Sequence, residues 1–493
     1  MSELTLEQQI AQDKILAGES ILIIGEAGTG KTKFMRDLVS RVELEKKIIC
    51  ATASTGTAAI NLDLKIIQTT TLHSFIGDLC NKPAKDCFEL IRKRKKCYDK
   101  WNAVELLIIE ELSMIDARLF DLVDYLAKKL RRSNQWFGGI QVVAIADPMQ
   151  LPPVTKEKPN VDDTELVFDP QKKRKLGQAT VPDPEYYKDR IMFFESDVFL
   201  NYLYDKIICF TKNFRQLDPK FQALLKEARD GKISDTSKDI LLSRLNYEFV
   251  CPDGTKPTKL FSYNRSVDQY NQEQFAKLDA PIVCFSASEG GPQIYLTKLK
   301  KKLETIVKDV IELKEGAVVM VVVNVNIDLG IINGTIGTII RFEEDCIWIK
   351  LYEGTEVAIY KKTWREYDAH DYAQKGPYAF YKQYPLKLSY ALTIHKAQGL
   401  TLKYVDIDLN NIFEAQQAYV ALSRATDLEH LCIRLQHHRD IKQVFMCNTT
   451  CKLFFDYCLS LSDKKISEHI SRQIITVPQD IYDIPTKKPR LKL

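Results

Sequence analysis

The first 150 residues alternate short apolar runs with helical or turn-rich segments. Apolar runs at 20–25 (SILIIG), 47–54 (KIICATAS) and 105–111 (ELLIIEE) are each followed by such a segment, and another run lies at 140–147 (IQVVAIAD). Alternation of this kind is typical of a parallel sheet whose faces are covered by helices. The pattern therefore predicts an α/β domain.

A second alternating block begins at 206–211 (KIICFT) and continues through 259–264 (KLFSYN). It returns at 404–409 (YVDIDL), followed by a helix predicted over 413–425. Between about 290 and 380 the chain instead has short β-rich runs with glycine turns and no helical period, which favours a small β-barrel inserted into the second block.

The predicted organisation is two α/β domains, the second of which is interrupted. The predicted boundaries are 1–205 for the first domain, 206–290 and 381–455 for the second, 291–380 for the inserted barrel, and 456–493 for a C-terminal extension with a basic tail.

Composition narrows the class of protein only a little. The 493 residues are 45% hydrophobic and 28% charged, which is typical of a soluble globular protein. A formal charge of +4 permits a nucleic-acid partner without arguing for one. Twelve cysteines without a CxxC pair, and no N-terminal signal peptide, predict reduced thiols in an intracellular protein rather than a disulfide framework or a zinc site.

Two further features concern location. The longest apolar stretch, 317–323, is too short to span a membrane, so no membrane partner is expected. The basic segment KKPR (487–490) would suit a nuclear localisation signal or a disordered tail. Nucleus, cytoplasm and a viral replication site are therefore all left open.

The segment GEAGTGKT (25–32) matches the phosphate-binding pattern G-x-x-x-x-G-K-[ST], follows a predicted strand and opens a predicted helix. Its glycines let the backbone curl so that N–H groups converge on phosphate oxygens, and the positive end of the helix adds to the attraction. Lys31 is expected to reach the β- and γ-phosphates, and the Thr32 hydroxyl to bind Mg²⁺. The predicted ATP-binding residues of this loop are Gly25, Glu26, Ala27, Gly28, Thr29, Gly30, Lys31 and Thr32.

Two adjacent carboxylates, Glu110 and Glu111, end the apolar run at 105–111. Taken alone, they would fit a charged strand end at the surface. Beside a nucleotide site they have another use, because a carboxylate at the end of a neighbouring parallel strand can hold Mg²⁺ and a second can align water for hydrolysis. The sequence therefore predicts Glu110 as a metal ligand and Glu111 as the residue that orients the attacking water.

Further polar residues follow later strands and helices. Gln150, after the run at 140–147, is placed to sense the γ-phosphate, and the prolines after it stiffen the chain leaving the site. Far along the chain, QAYVALSRA (417–425) contains Arg424. An arginine reaching the γ-phosphate from an opposing domain would stabilise transition-state charge and link domain closure to the nucleotide state.

Further motif-like segments lie along the chain: LEQQ (6–9), ATASTGTAA (51–59), TTLHSF (70–75), the span 113–141, NFRQLD (213–218), YNRSVDQYN (263–271), INGTIG (332–337), IHKAQGLT (394–401) and YVALSRA (419–425). In their order and residues these motifs resemble those of the superfamily 1 DNA helicases, and most closely the PIF-one-like family (petite integration frequency). The resemblance runs from about Thr5 to Ile433, and the span 113–141 is similar to the segment that separates this family from other helicases.

The resemblance implies an architecture and an activity. Two RecA-like domains hold ATP and Mg²⁺ between them and move along single-stranded DNA, 5′-to-3′ in this family, unwinding forked duplex DNA in replication, repair or recombination. The β-rich insertion is similar to the family's accessory barrel. The segment near 76–103, with its basic stretch 92–101, lies where the family carries a strand-separating wedge. A monomer and an assembly with replication or repair proteins are both compatible with the sequence.

The resemblance also implies roles for single residues. Gln8 is placed to recognise adenine, Gly399 to contact ATP, and Arg215 to act as an arginine finger besides Arg424. The residues implied for DNA binding are Thr55, His73, Phe75, Asn264, His395 and Lys396.

The sequence departs from the family at the carboxylate pair, which is normally aspartate followed by glutamate. Glutamate at position 110 is longer by one methylene, so a metal contact must shift. Three outcomes are open: the loop retreats slightly and activity is kept, the site prefers a larger ion such as Mn²⁺, or hydrolysis is slow. The first is favoured because the other predicted catalytic residues are retained. Ala146 and Gln416 also stand where the family usually has glycine.

Two other functions stay open at this point. One is a RecD-like or RNA-directed translocase, and the segment 113–141 argues against the RecD-like enzymes. The other is a nucleic-acid-binding clamp that binds ATP with little hydrolysis, for which Glu110 is the only support in the sequence.

Overall fold

The chain folds into two α/β domains and an antiparallel β domain. The computed structural model describes residues 4–42, 47–54, 68–77, 83–153, 187, 190–249, 257–304, 306–323, 325–326, 331, 334–351, 354–366, 379–436 and 439–475.

The strands within these ranges are β1 (Ile21–Gly25), β2 (Ile49–Ala53), β3 (Gln68–Thr71), β4 (Leu106–Glu110), β5 (Gln141–Ala146), β6 (Ile207–Phe210), β7 (Thr258–Phe261), β8 (Val283–Ser286), β9 (Ser288–Gly290), β10 (Val310–Leu313), β11 (Val318–Val321), β12 (Ile336–Phe342), β13 (Cys346–Leu351), β14 (Glu356–Tyr360), β15 (Lys362–Glu366), β16 (Ala379–Gln383), β17 (Leu386–Leu388), β18 (Ala391–Thr393), β19 (Val405–Asp408) and β20 (Leu431–Arg434). The α-helices are α1 (Leu6–Leu16), α2 (Lys31–Val42), α3 (Leu72–Phe75), α4 (Ala84–Lys93), α5 (Lys95–Ala103), α6 (Ala117–Arg131), α7 (Pro219–Asp230), α8 (Asp235–Ser243), α9 (Asn264–Ala276), α10 (Gln293–Leu303), α11 (Ile394–Ala397), α12 (Gln417–Leu422) and α13 (Thr449–Ile475).

The first domain is built on a six-stranded parallel sheet with the strand order β3-β2-β4-β5-β1-β6. Strands β1, β2 and β4 are buried along their whole length, as expected for a parallel sheet covered on both faces. Because the strands are parallel, the loops after β1, β4, β5 and β6 meet at one edge of the sheet. That edge carries the phosphate loop, the two adjacent carboxylates and Gln150.

Strand β6 belongs to this first sheet, which corrects the predicted domain boundary at residue 205. It pairs with β1, with Leu22 opposite Ile207 and Gly25 opposite Phe210. The alternation of apolar runs could not reveal this, because parallel strands pair with partners that are distant in the chain. The loop after β6 therefore leaves the edge of the first sheet and enters the second domain directly.

The second domain contains a four-stranded parallel sheet with the order β18-β7-β19-β20. The helix predicted over 413–425 is shorter, since α12 covers only Gln417–Leu422. Gln416 precedes it with φ of 63°, in the left-handed region that glycine adopts most easily. The predicted fold class of two α/β domains is confirmed, and the small β-barrel predicted within the second is present as a small antiparallel β domain.

The inserted β domain is larger than the predicted range 291–380. It consists of a five-stranded antiparallel sheet (β14-β13-β12-β11-β17), a three-stranded sheet (β15-β16-β9) and the pair β10-β8. Its strands begin at Val283 and end at Leu388. They enclose a hydrophobic cluster of their own, in which Tyr381 and Tyr384 are almost fully buried.

The segment expected to form a wedge, near 76–103, contains helices α4 and α5. The side chains of Cys87, Ile91 and Trp101 are buried in the core of the first domain, whereas the basic residues 92–95 are exposed. The wedge role stays a prediction. None of the helices in the described ranges combines the length and the apolar character needed to cross a membrane.

The long C-terminal helix α13 packs back onto the first domain. Phe454 is fully buried and stacks on Phe194, with ring centroids 4.2 Å apart and ring planes 17° apart. Further along the helix, the Cys209 backbone N–H donates to Ser462 Oγ over 2.9 Å, which satisfies a donor of β6 at the edge of the sheet. The predicted extension at 456 therefore begins inside a helix, and the basic tail beyond 475 lies outside the described residues.

We expect Phe454→Ala to destabilise the protein, because the substitution removes the ring that joins α13 to the first domain. Truncating a buried phenylalanine typically costs about 3–5 kcal/mol in the free energy of unfolding. Chemical denaturation of the variant measures this loss. The neighbouring Leu453, which is 45% exposed, supplies the control: Leu453→Ala should unfold close to the wild-type midpoint. Equal stability of the two variants would contradict the assigned packing of α13.

Candidate functional site

A cleft with a volume of about 870 Å³ lies at the carboxyl edge of the first sheet, between the two α/β domains. This volume is within the range of small-molecule binding sites. Both α/β domains, the loop that connects them and the β domain line this cleft. The lining residues include Ala27 to Lys33, Arg36, Glu110, Glu111 and Gln150 of the first domain, Phe214 and Arg215 of the connecting loop, 399–404 and Arg424 of the second domain, and 334–336 of the β domain.

The phosphate loop has the conformation that its glycines permit. Gly28 and Gly30 have φ values of 87° and 78°, in the left-handed region. A Cβ atom on Gly28 would lie 2.7 Å from Asn213 Oδ1 and 2.8 Å from Arg215 Cβ. The loop after β6 is therefore pressed against the phosphate loop, and the Phe214 N–H donates to the Gly28 carbonyl over 2.8 Å.

Lys31 lies inside the phosphate loop. Its Nζ donates to the carbonyl oxygens of Gly25 and Glu26 at 2.6 and 2.8 Å. Burial lowers the pKa of Lys31, while the neighbouring carboxylates, led by Asp147, act in the opposite direction. The ammonium is therefore held at the base of the loop by neutral acceptors and nearby negative charge.

Glu110, the last residue of β4, is 5% exposed. Burial and the adjacent Glu111 carboxylate raise the pKa of Glu110 to about 7, while Lys31 and a hydrogen bond with Thr32 lower it. Its Oε1 is buried and has no hydrogen-bond partner among the described residues. A divalent cation would supply that oxygen with a ligand bond and favour the ionised carboxylate, so Glu110 and Thr32 fit a Mg²⁺ site.

Glu111 has a strained backbone and a contact from the second domain. Its φ of 53° is in the left-handed region, which is uncommon for residues other than glycine and is found most often at functional sites. Its Oε2 accepts a hydrogen bond of 3.0 Å from Gln398 Nε2, on the residue that follows α11. Gln398 lies in the segment IHKAQGLT and was given no role from the sequence, and the structure adds it as a contact to the water-orienting candidate.

The two predicted arginine fingers lie together on the second-domain side of the cleft. Burial and the neighbouring Arg424 lower the pKa of Arg215 to about 9, and Arg215 Nη1 donates to the Ser423 carbonyl over 3.1 Å. Arg424 is 1% exposed. Its guanidinium donates to the carbonyl oxygens of Val420 and Leu400 at 2.9 and 3.2 Å. Arg424 therefore lines the cleft while its described hydrogen bonds stay within the second domain.

Gln150 and Gly399 line the cleft, whereas Gln8 lies in the first turn of α1. Gln150 Nε2 donates to Asp147 Oδ2 over 2.7 Å, and its buried Oε1 has no partner in the described part of the chain. Gln8 caps α1, accepting the Thr5 N–H through Oε1 at 3.1 Å. Gly399 lines the cleft with φ of 81°. The role of each in nucleotide binding stays a prediction.

An ion pair between the domains was not predicted from the sequence. Glu26 of the phosphate loop pairs with Arg229 at the end of α7. Arg229 is 4% exposed, and its guanidinium lies 4.9 Å from the ring centroid of Phe455 on α13. No motif marks Arg229, since its role depends on how α7 and α13 pack around the loop.

The residues predicted to bind DNA lie in different parts of the structure. Asn264 Oδ1 accepts from Lys396 Nζ at 3.1 Å, and His395 Nε2 lies 3.6 Å from a Glu414 carboxylate oxygen. His73 is exposed on the short helix α3. Thr55 lies outside the described residues.

The prediction for Phe75 is wrong. Its side chain is fully buried and packs against Trp101, with ring centroids 4.5 Å apart. The motif TTLHSF places apolar and polar residues on one short helical turn, so His73 faces outward and Phe75 joins the core. Phe75 is therefore a packing residue and cannot stack on a base in this conformation.

Comparison with known proteins points to one family. The model described as PIF1-like helicase matches residues 3–167, and the model of the 2B domain of DNA helicase Pif1 matches residues 299–342. The ATP-dependent DNA helicase PIF1 of Xenopus laevis is 32% identical over 432 residues, which are 87% of this chain and 61% of that protein. The chain spans about 60% of the length of the curated relatives it matches.

Solved structures agree with the sequence comparison. The crystal structure of Pif1 helicase from Candida albicans superimposes with a TM-score of 0.74 at 28% identity, covering 92% of this chain and 99% of that chain. A Pif1 helicase from Bacteroides in complex with ADP-AlF3 and single-stranded DNA gives a TM-score of 0.61 at 25% identity, covering 92% and 97%. The likeness extends over both α/β domains and the inserted β domain, and the chain is similar to the PIF1-like helicase family over most of its length.

Proposed function

We propose that the protein is an ATP-dependent DNA helicase that moves along single-stranded DNA and unwinds duplex DNA, in the 5′-to-3′ direction. The observation that carries this proposal is the cleft itself, in which the phosphate loop and two carboxylates of the first domain face two arginines of the other wall. The Gln398–Glu111 hydrogen bond supports coupling, because it joins the second domain to the residue that orients water. The Bacteroides relative, solved with a nucleotide analogue and single-stranded DNA, supports the choice of ligands.

Each residue of the cleft has a chemical task under this proposal. Lys31 and the loop N–H groups bind the phosphates, and Glu110 with Thr32 would hold Mg²⁺, which supplies charge neutralisation for phosphoryl transfer. Glu111 positions water for attack. Arg215 and Arg424 stabilise negative charge that develops in the transition state. Since these groups belong to different domains, hydrolysis and release change the contacts between the domains, and this drives movement on DNA.

Steady-state ATP hydrolysis with Mg²⁺, measured with and without a single-stranded DNA oligonucleotide, tests the proposal. We expect DNA to stimulate hydrolysis, and Lys31→Ala to lower the stimulated rate by about 100-fold or more, because an electrostatic contact to the transferred phosphate is lost. The exposed Lys226 on α7 provides a matched control, and Lys226→Ala should hydrolyse ATP normally. Tight ATP binding without turnover in the wild type would favour the clamp hypothesis instead.

Glu111→Gln separates binding from chemistry. The substitution keeps the size of the side chain and removes the charge that orients water, so we expect turnover to fall by about 100-fold or more while ATP affinity changes only a few fold. Single-turnover hydrolysis and fluorescent-ATP titration measure the two quantities. Glu89→Gln, at a partly exposed site on α4 outside the cleft, is the control for removal of one carboxylate. Normal hydrolysis by Glu111→Gln would assign the water to another group.

Glu110→Gln tests the metal ligand without relying on turnover. The wild type should bind a fluorescent ATP analogue more tightly in Mg²⁺ than in EDTA. Because the variant has lost its anionic ligand, we expect the gain from Mg²⁺ to shrink by about tenfold or more. Glu110→Asp, which keeps the charge, should retain most of the gain. If the gain from Mg²⁺ is the same in Glu110→Gln as in the wild type, Glu110 is not a ligand.

A further inference from the structure

The second domain carries a stacked pair of aromatic rings at its surface. Tyr263, immediately before α9, and Phe413, in the loop before α12, have ring centroids 5.0 Å apart and planes 19° apart. The two residues are 48% and 45% exposed. A stacked pair covers only one face of each ring, so flat apolar surface is left in contact with water.

The Tyr263 side of the pair adjoins a cation. The next residue, Asn264, accepts a hydrogen bond of 3.1 Å from Lys396 Nζ. Lys396 is exposed at the end of α11, so its ammonium can also meet a phosphate group from solvent. A cation and an aromatic face therefore lie side by side on one surface of the second domain.

The Phe413 side of the pair is held in place by its own loop. The Phe413 N–H donates to Gln417 Oε1 over 3.1 Å, which ties the loop to the first residue of α12. The following residue, Glu414, has a carboxylate oxygen 3.6 Å from His395 Nε2. These contacts hold the loop, so Phe413 is a fixed support for Tyr263.

We propose that Tyr263 and Phe413 form a base-stacking platform, which holds a nucleobase of the single-stranded DNA while Lys396 contacts the neighbouring backbone. Proteins that bind single strands combine backbone-tracking cations with aromatic rings, because every base offers a stacking face. This inference rests on the proposed function and deepens it, by assigning a contact to a base at residues with no previous role. Such a platform makes the affinity for single-stranded DNA depend on the presence of bases and not on their sequence.

Fluorescence anisotropy with a labelled homopyrimidine oligonucleotide tests the platform. We expect Tyr263→Ala to weaken binding about fivefold or more, the lower end of what one stacked base contributes. Tyr263→Phe should bind as the wild type does. Tyr360→Ala removes a tyrosine that is 57% exposed on β14 of the β domain, and serves as the matched control with unchanged affinity. Thermal unfolding of each variant confirms that the fold is kept, and Phe413→Leu supplies a second variant with the same expected loss.

An oligonucleotide with abasic sites separates stacking from backbone contact. For this oligonucleotide, we expect the wild type and Tyr263→Ala to bind equally, because no base is present to stack. Normal binding of base-containing DNA by Tyr263→Ala overturns the platform, as does an equal loss on both oligonucleotides. Failure of the wild type to bind single-stranded DNA at all would instead overturn the proposed function.

Discussion

The cleft is organised by pairs of like charges that are held close together. Glu110 and Glu111 are adjacent on the first-domain side, and burial with this repulsion raises the pKa of Glu110 to about 7. Arg215 and Arg424 are neighbours on the other side, where burial with their mutual repulsion lowers the pKa of Arg215 to about 9. Each pair of like charges is unfavourable by itself. A metal ion beside the glutamates and an anionic phosphate chain beside the arginines would make both pairs favourable. The electrostatics of the cleft thus match the charge of a metal–nucleotide complex.

The two α/β domains also contact each other at this cleft. Gln398 of the second domain contacts Glu111, and Arg229 of α7 pairs with Glu26 in the phosphate loop. Helix α13 supports Arg229 through Phe455 while its other residues pack on β6 and the first domain. A displacement of either domain therefore changes contacts to the phosphate loop and to the Glu111 carboxylate at once. These contacts give the proposed link between nucleotide state and domain position a structural basis in named side chains.

The sequence was most informative where function depends on local chemistry. The phosphate loop, Glu110 and Glu111 follow strands in the expected way, since a motif and its flanking apolar run suffice to place them. It was least informative where position depends on distant partners: β6 joins the first sheet, and Arg229 reaches the loop through tertiary packing. Phe75 shows a third limit, because the alternation of outward and inward residues on a single helical turn leaves open which aromatic residue meets solvent.

The inserted β domain is part of the cleft. Gly334 has φ of 92°, and a Cβ atom there would lie 2.8 Å from Leu400 Cδ2. The Leu400 carbonyl in turn accepts a hydrogen bond from Arg424 Nη1. The positive φ and the short Cβ distance both favour glycine at position 334, where the β domain contacts the leucine whose carbonyl accepts from Arg424. A β domain that moved as a rigid body would have to break the Gly334–Leu400 contact, so its position and the geometry around Arg424 are not independent.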